Sequence, residues 1–104
     1  MEYNYIDGSI LCCAGYCFPY ATRERIEGLL GALHPCRLAP EELDAGLEKL
    51  VEGGFLEPRR RGFSLTRKAR KFLRRSRLPY EDARERNRRV SSLFCRQFSG
   101  NPAE

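Results

Sequence analysis

A chain of 104 residues supports one domain, burying roughly 65% of its unfolded surface, and 41% hydrophobic with 32% charged residues excludes a disordered chain. The apolar run from Ile10 to Tyr20 is far short of the roughly 20 residues a membrane span requires, and the opening Met-Glu-Tyr-Asn lacks the positive lead of a secretory signal. A cytoplasmic location with no membrane partner is therefore expected. The net charge of +5 is divided unevenly: residues 1–58 hold four Lys and Arg against ten acids, a net of −6, whereas residues 59–104 hold fifteen against four, a net of +11. Arg59 to Arg77 carries ten basic residues and no acid, the footprint of a surface that meets a polyanion.

In chain order, Tyr3 to Cys17 is expected to form a first helix, started by Asp7 or Ser9, with Ile6, Ile10, Cys13, Ala14 and Cys17 on one face. Gly8 and Gly15 work against it, each lowering helix propensity by about 1 kcal/mol. Pro19 restricts Phe18 to extended backbone, so Phe18-Pro19-Tyr20 is expected as a short edge strand or tight loop. Thr22 caps a second helix, whose Ile26, Leu29, Leu30 and Leu33 follow helical spacing. It stops near His34-Pro35, and Cys36-Arg37-Leu38-Ala39 makes the turn.

Pro40 suits the first position of a third helix, and Glu41, Glu42 and Asp44 lie in or near its first turn, favoured by the helix dipole. Leu43, Leu47, Leu50 and Val51 supply its buried stripe, and Gly53-Gly54 its left-handed stop. Phe55 to Arg59 and Gly62 to Leu65 read as two strands around Arg60-Arg61-Gly62, with Pro58 confined to an edge or the tip. Thr66 caps a fourth helix with Ala69, Phe72 and Leu73 inward. Leu78-Pro79 is a break, and a fifth helix is expected from Tyr80 to about Phe98. Its stripe of Val90, Leu93, Phe94 and Phe98 suits pairing across a two-fold axis, so a homodimer is expected. Residues 1–78 then form the domain proper, 79–98 an added dimerisation helix, and 99–104 a frayed tail.

Five cysteines, Cys12, Cys13, Cys17, Cys36 and Cys95, are an odd number without a secretion signal, which argues against a disulfide framework. Cys12, Cys13 and Cys17 with His34 and Cys36 could converge on a metal. However, Cys13 and Cys17 lie in a helix rather than on a knuckle, and core thiols are expected, with no metal and no cofactor. His34 reads as a helix-end residue. No Ser-His-Asp set, phosphate-binding Gly loop or His-Glu-x-x-His motif is present, so an enzyme is not expected.

Leu50-Val51-Glu52-Gly53-Gly54-Phe55-Leu56-Glu57 followed by Phe63-Ser64-Leu65-Thr66-Arg67-Lys68-Ala69-Arg70 resembles the winged helix-turn-helix pattern of prokaryotic transcription regulators, across roughly residues 22 to 75. The resemblance implies a mainly α fold with a small β-hairpin, α-α-α-β-β-α, here followed by a C-terminal helix. It also implies double-stranded DNA as ligand, transcriptional regulation as role, and often a dimer. In that family the third helix enters the major groove. Here it offers Glu41, Glu42, Asp44, Glu48 and Glu52 against Lys49 alone, and carboxylates repel phosphate. The phosphate grip is therefore expected from Arg59, Arg60 and Arg61 on the wing and from Arg67, Lys68, Arg70, Lys71 and Arg74 on the fourth helix. Charge alone does not separate duplex DNA from structured RNA. The alternatives are a protein-contact module using the acidic third helix, and a cysteine-based metal or redox sensor.

Overall fold

Asn4 begins the first helix by a reciprocal cap: its side chain accepts from the Asp7 N–H at 3.0 Å while its own N–H donates to the Asp7 carboxylate at 2.8 Å. Asp7 thus sits at the third helical position, and the cap expected at Asp7 or Ser9 falls earlier. The computed structural model describes residues 2–17, 20–33 and 38–98. Its elements are α1 (Tyr5–Gly15), α2 (Arg23–Leu33), α3 (Pro40–Glu52), β1 (Leu56–Arg59), β2 (Gly62–Leu65), α4 (Arg67–Arg75) and α5 (Ala83–Phe98). This is a mainly helical fold with one antiparallel hairpin, in a winged-helix layout. Among the described residues, no helix is long and apolar enough to cross a membrane.

Helix α1 is the axis of the fold. Asp7 through Ala14 are all buried, and α2, α3, α4, α5 and β2 pack around it. A helix enclosed on every side has no solvent face to enforce a single apolar stripe, so this segment carries the weakest helical pattern in the sequence. Its polar groups are satisfied within the core. The Asp7 carboxylate lies 2.5 Å from the Lys49 ammonium of α3, and Ser9 donates to the Asn87 side chain of α5 at 2.9 Å. Both groups would be costly to bury alone.

Gly8 decides how α5 reaches α1. A Cβ at Gly8 would stand 2.8 Å from both Cα and the carbonyl oxygen of Ser91, so the backbones meet there only because the side chain is absent. The Ser91 hydroxyl in turn donates to the Asn87 carbonyl at 2.5 Å, which satisfies it within its own helix. Beyond this contact, Phe94 reaches a ring cluster with Tyr3, Phe55, Phe72 and Phe98 at centroid distances of 5.0, 4.9, 5.6 and 5.3 Å. These mostly edge-to-face contacts tie the N-terminus, the wing base, α4 and α5 together.

The fifth helix is consequently part of the core, and the stripe expected to dimerise packs in part within its own chain. Val90 and Phe94 are fully buried within this chain, and Leu93 and Phe98 pack half-buried against the same core. An apolar stripe looks the same in sequence whether its partner is a second copy or its own α1. The helix also starts at Ala83, later than Tyr80, with Asp82 accepting from the Glu85 N–H at 2.8 Å.

The joint between α4 and α5 is electrostatic. Arg89 grips the Glu81 carboxylate with both arms, at 2.6 and 2.8 Å, and also donates to the Ser76 carbonyl at the end of α4. That hydrogen bonding outweighs partial burial and holds the Glu81 carboxyl below its ordinary value. A depressed carboxylate stabilises the fold above its unfolded value of roughly pH 4.3 and loses that contribution as pH falls through the lower folded value.

Three outcomes follow for stability. Gly8→Ala should cost about 1–3 kcal/mol in urea denaturation. Gly28→Ala on α2, where nothing lies within 4 Å of the new Cβ, should be neutral or stabilising by up to about 1 kcal/mol. Glu81→Gln should flatten the acid branch of a Tm-against-pH profile below roughly pH 4.3, leaving a residual slope from other carboxylates.

Candidate nucleic-acid interface

The wing is assembled from local constraints. Helix α3 starts at Pro40, with the Glu42 carboxylate accepting from the Ala39 N–H at 2.9 Å, and the chain then turns through Gly54 at φ +83°, the left-handed residue that glycine tolerates. The register pairs Leu56 with Leu65, Glu57 with Ser64, Pro58 with Phe63 and Arg59 with Gly62. Phe63 directs both of its backbone groups away from Pro58, accepting from the Ala21 N–H at 2.7 Å and donating to the Ala21 carbonyl at 2.8 Å. Ala21 is therefore a single-residue third strand beside β2, and β1 becomes the edge, where a proline removes no ladder bond. Of the loop foreseen at Phe18-Pro19-Tyr20, Phe18 and Pro19 lie outside the described residues, and the bridge forms one residue beyond Tyr20. Gly62 is required by the same contact, since a Cβ there would strike the Ala21 carbonyl oxygen.

Alternation along the strands puts Glu57, Arg59 and Ser64 on the outward face. Arg60 and Arg61 form the turn at the tip. Thr66 then joins wing to helix: its hydroxyl accepts from the Ala69 N–H at 3.2 Å and donates to the Gly54 carbonyl at 2.6 Å. The first turn of α4 is thereby held against the hairpin. Between them runs an open groove of about 980 Å³, lined by Tyr20, Glu57, Arg59, Arg60, Arg61, Ser64, Leu65, Thr66, Arg67 and Arg70. The basic surface continues from Arg67 along α4 to Lys71, Arg74 and Arg75, which share a second depression.

The eight cations expected to hold phosphate are not equivalent. Arg60, Arg61, Arg67, Lys71 and Arg74 are exposed, and their side chains make no hydrogen bond or ion pair with another described residue. Arg70 faces the groove but donates to the Leu65 carbonyl at 3.2 Å, which orients its guanidinium. Arg59 donates to Ser64 at 2.9 Å and pairs with Glu57 at 2.9 Å, so its charge is locally balanced. Lys68 departs most from expectation. Its ammonium donates to the Gly53 carbonyl at 3.0 Å and lies 4.2 Å from the centre of the Phe55 ring, capping the end of α3 while the residue stays exposed.

Sequence reasoning passed over Tyr20, Glu57, Ser64 and Arg75. The i, i+2 spacing of Glu57 and Arg59 on one strand was the available signal for their pairing. Tyr20 reaches the groove beside the Ala21 bridge, at the end of the short edge strand or loop that Pro19 signalled, but the pairing of Ala21 with Phe63 has no local signal.

Helix α3 presents Glu41, Glu42, Asp44, Glu48 and Glu52 to solvent. Asp44 is held by Arg23 of α2 at 2.7 Å, and Lys49 is turned inward to Asp7. The outer face is thus acidic, as its composition implied.

The thiols read differently. Cys12, Cys13 and Cys17 are buried and free, and Cys95 donates to the Tyr3 carbonyl at 3.1 Å. Burial pushes the Cys12 thiol up to about 11 and Cys13 higher still, so both stay protonated and unreactive near neutral pH. His34 and Cys36, the remaining members of the cluster considered for metal, lie outside the described residues. Among the described residues, no group of three potential ligands could hold a metal ion. Comparison with known proteins leaves the chain on its own: no family model, curated protein or solved structure matches it.

Proposed function

We propose that this protein is a double-stranded DNA-binding winged-helix protein, acting in transcriptional regulation, that grips phosphate through the wing and α4. The observation that carries the reading is the groove between hairpin and helix. It gathers Arg60, Arg61, Arg67 and Arg70 around one open channel whose single acid, Glu57, is already paired with Arg59. Guanidinium groups without an ion pair among the described residues, on a hairpin and a capped helix, match the fork geometry of phosphate oxygens. The first turn of α4 contains no acid, so its dipole and its side chains favour an anion together.

The acidic outer face of α3 supports a reading in which that helix does not enter the major groove. Binding then draws on phosphate contacts and on the width of the minor groove, which arginines at a hairpin tip can enter. Modest sequence preference is the expected consequence. A homodimer through the terminal stripe would have only Leu93 and Phe98 to draw on, because Val90 and Phe94 are buried within the chain.

Fluorescence anisotropy with a labelled duplex tests the reading, with an RNA hairpin of equal length as comparison. The affinity should fall with salt at a log–log slope of about −0.9 per phosphate neutralised. Arg60→Glu combined with Arg61→Glu should weaken binding by at least about tenfold at low salt, and unchanged binding would sink the proposal. Arg67→Gln should reduce the slope by about one unit. Lys68→Gln should leave the slope in place while lowering thermal stability, because its ammonium serves Gly53 and Phe55.

A further inference from the structure

We propose that copies of this chain bind one another through unlike faces, the acidic α2–α3 surface of one docking on the basic wing–α4 surface of the next. Both surfaces lie on the same chain, and nothing described joins them within it. The ion pairs present use other groups: Arg23 with Asp44 and Glu27, Lys49 with Asp7, Arg59 with Glu57, and Arg86 and Arg89 with Glu81. Among the described residues, that leaves Glu24, Glu41, Glu42, Glu48 and Glu52 exposed without an ion pair on α2 and α3, against Arg25 as the cation in the same condition there. Arg60, Arg61, Arg67, Lys71, Arg74 and Arg75 are left in the same condition on the wing and α4.

Charge complementarity identifies the occupant. The acidic face carries no exposed large apolar side chain; among the described residues Tyr16, Leu78 and Tyr80 are the ones so exposed, and all lie elsewhere. A partner for the acidic face must therefore be rich in cations and need no apolar anchor, and the wing–α4 face of a second copy has that composition at matching stoichiometry. The contact pairs surface charges across water, so it is weak singly, collective in effect and strongly screened by salt. It differs from the two-fold α5 pairing, which would be apolar and salt-insensitive. It also stands independently of the DNA reading, although duplex DNA would compete for the basic face.

Sedimentation of the intact chain tests this. At roughly 20 mM salt the weight-average mass should rise above the 12.0 kDa monomer between about 10 μM and 1 mM protein. Association should weaken at least about tenfold on moving to roughly 200 mM salt. Two charge-reversed variants sharpen the test. Glu41→Lys with Glu48→Lys cancels the unpaired charge of the acidic face and leaves the basic face intact, whereas Arg60→Glu with Arg61→Glu opposes an acidic face with a weakened basic one. Each alone should stay monomeric at low salt, and an equimolar mixture should associate again, because each variant restores what the other has lost. A monomeric wild-type chain at every concentration, an association indifferent to salt, or a mixture that stays monomeric would each overturn the proposal. All the substitutions are at exposed positions, and circular dichroism of each variant verifies folding before sedimentation. The Glu41→Lys, Glu48→Lys variant should still bind duplex DNA. If the wild type binds no duplex, the functional reading fails while the sedimentation result stands by itself.

Discussion

The approach of α5 to α1 at Gly8 is the constraint on which the rest of the molecule depends. Where the backbone of Ser91 meets a residue without a Cβ, two helices close to a distance that any side chain would prevent. That closure brings Asn87 to Ser9 and places Phe94 amid Tyr3, Phe55 and Phe72. Phe55 is the first residue after the α3 stop, and Phe72 is the inward residue of α4. The wing and α4 are consequently held to one another through a shared ring cluster as well as through the Thr66 cap. The basic surface built on such supports has its backbone held in place, while its exposed side chains remain free to turn.

The charges of this chain divide by whether the fold uses them. Lys49, Lys68, Arg86 and Arg89 are drawn into structural work: neutralising Asp7, capping α3, and locking the α4–α5 joint through Glu81. Arg60, Arg61, Arg67, Lys71 and Arg74 are left for solvent or a ligand. The same division runs through the acids, with Asp7 and Glu81 largely buried in pairs while the outer carboxylates of α3 stay exposed. A net charge counts all of these alike. The surface that a partner meets is decided by the ones left over.

Much of the architecture was legible because its signals are local. Pro40, the leucine spacing of α3, Gly53-Gly54 and the Thr66 cap each act within a few residues, and helix α3, the hairpin and α4 fall where those residues place them. Helix α1 was harder to read, since burial on all sides erases the periodicity that betrays a surface helix. Gly8 counted against that helix by propensity, yet it is the residue that the packing requires. Asn87 and Ser91 are polar residues whose burial follows only from the seating of α5 on α1. The site shows the same split. Its arginine run is visible as composition, but the silencing of Lys68 and the arrival of Tyr20 depend on partners many residues away.

By itself, the sequence determined the order of elements, the position of the wing, the segregation of acid from base and the acidity of α3, because caps, turns, periodicity and charge are properties of short stretches. Only the tertiary structure decided which face α5 buries, which cations remain free and how the hairpin and α4 share a groove. Those outcomes depend on which distant groups meet and at what separation. An apolar stripe or a lysine does not carry the identity of its neighbour, and only the close approach at Gly8 selects it.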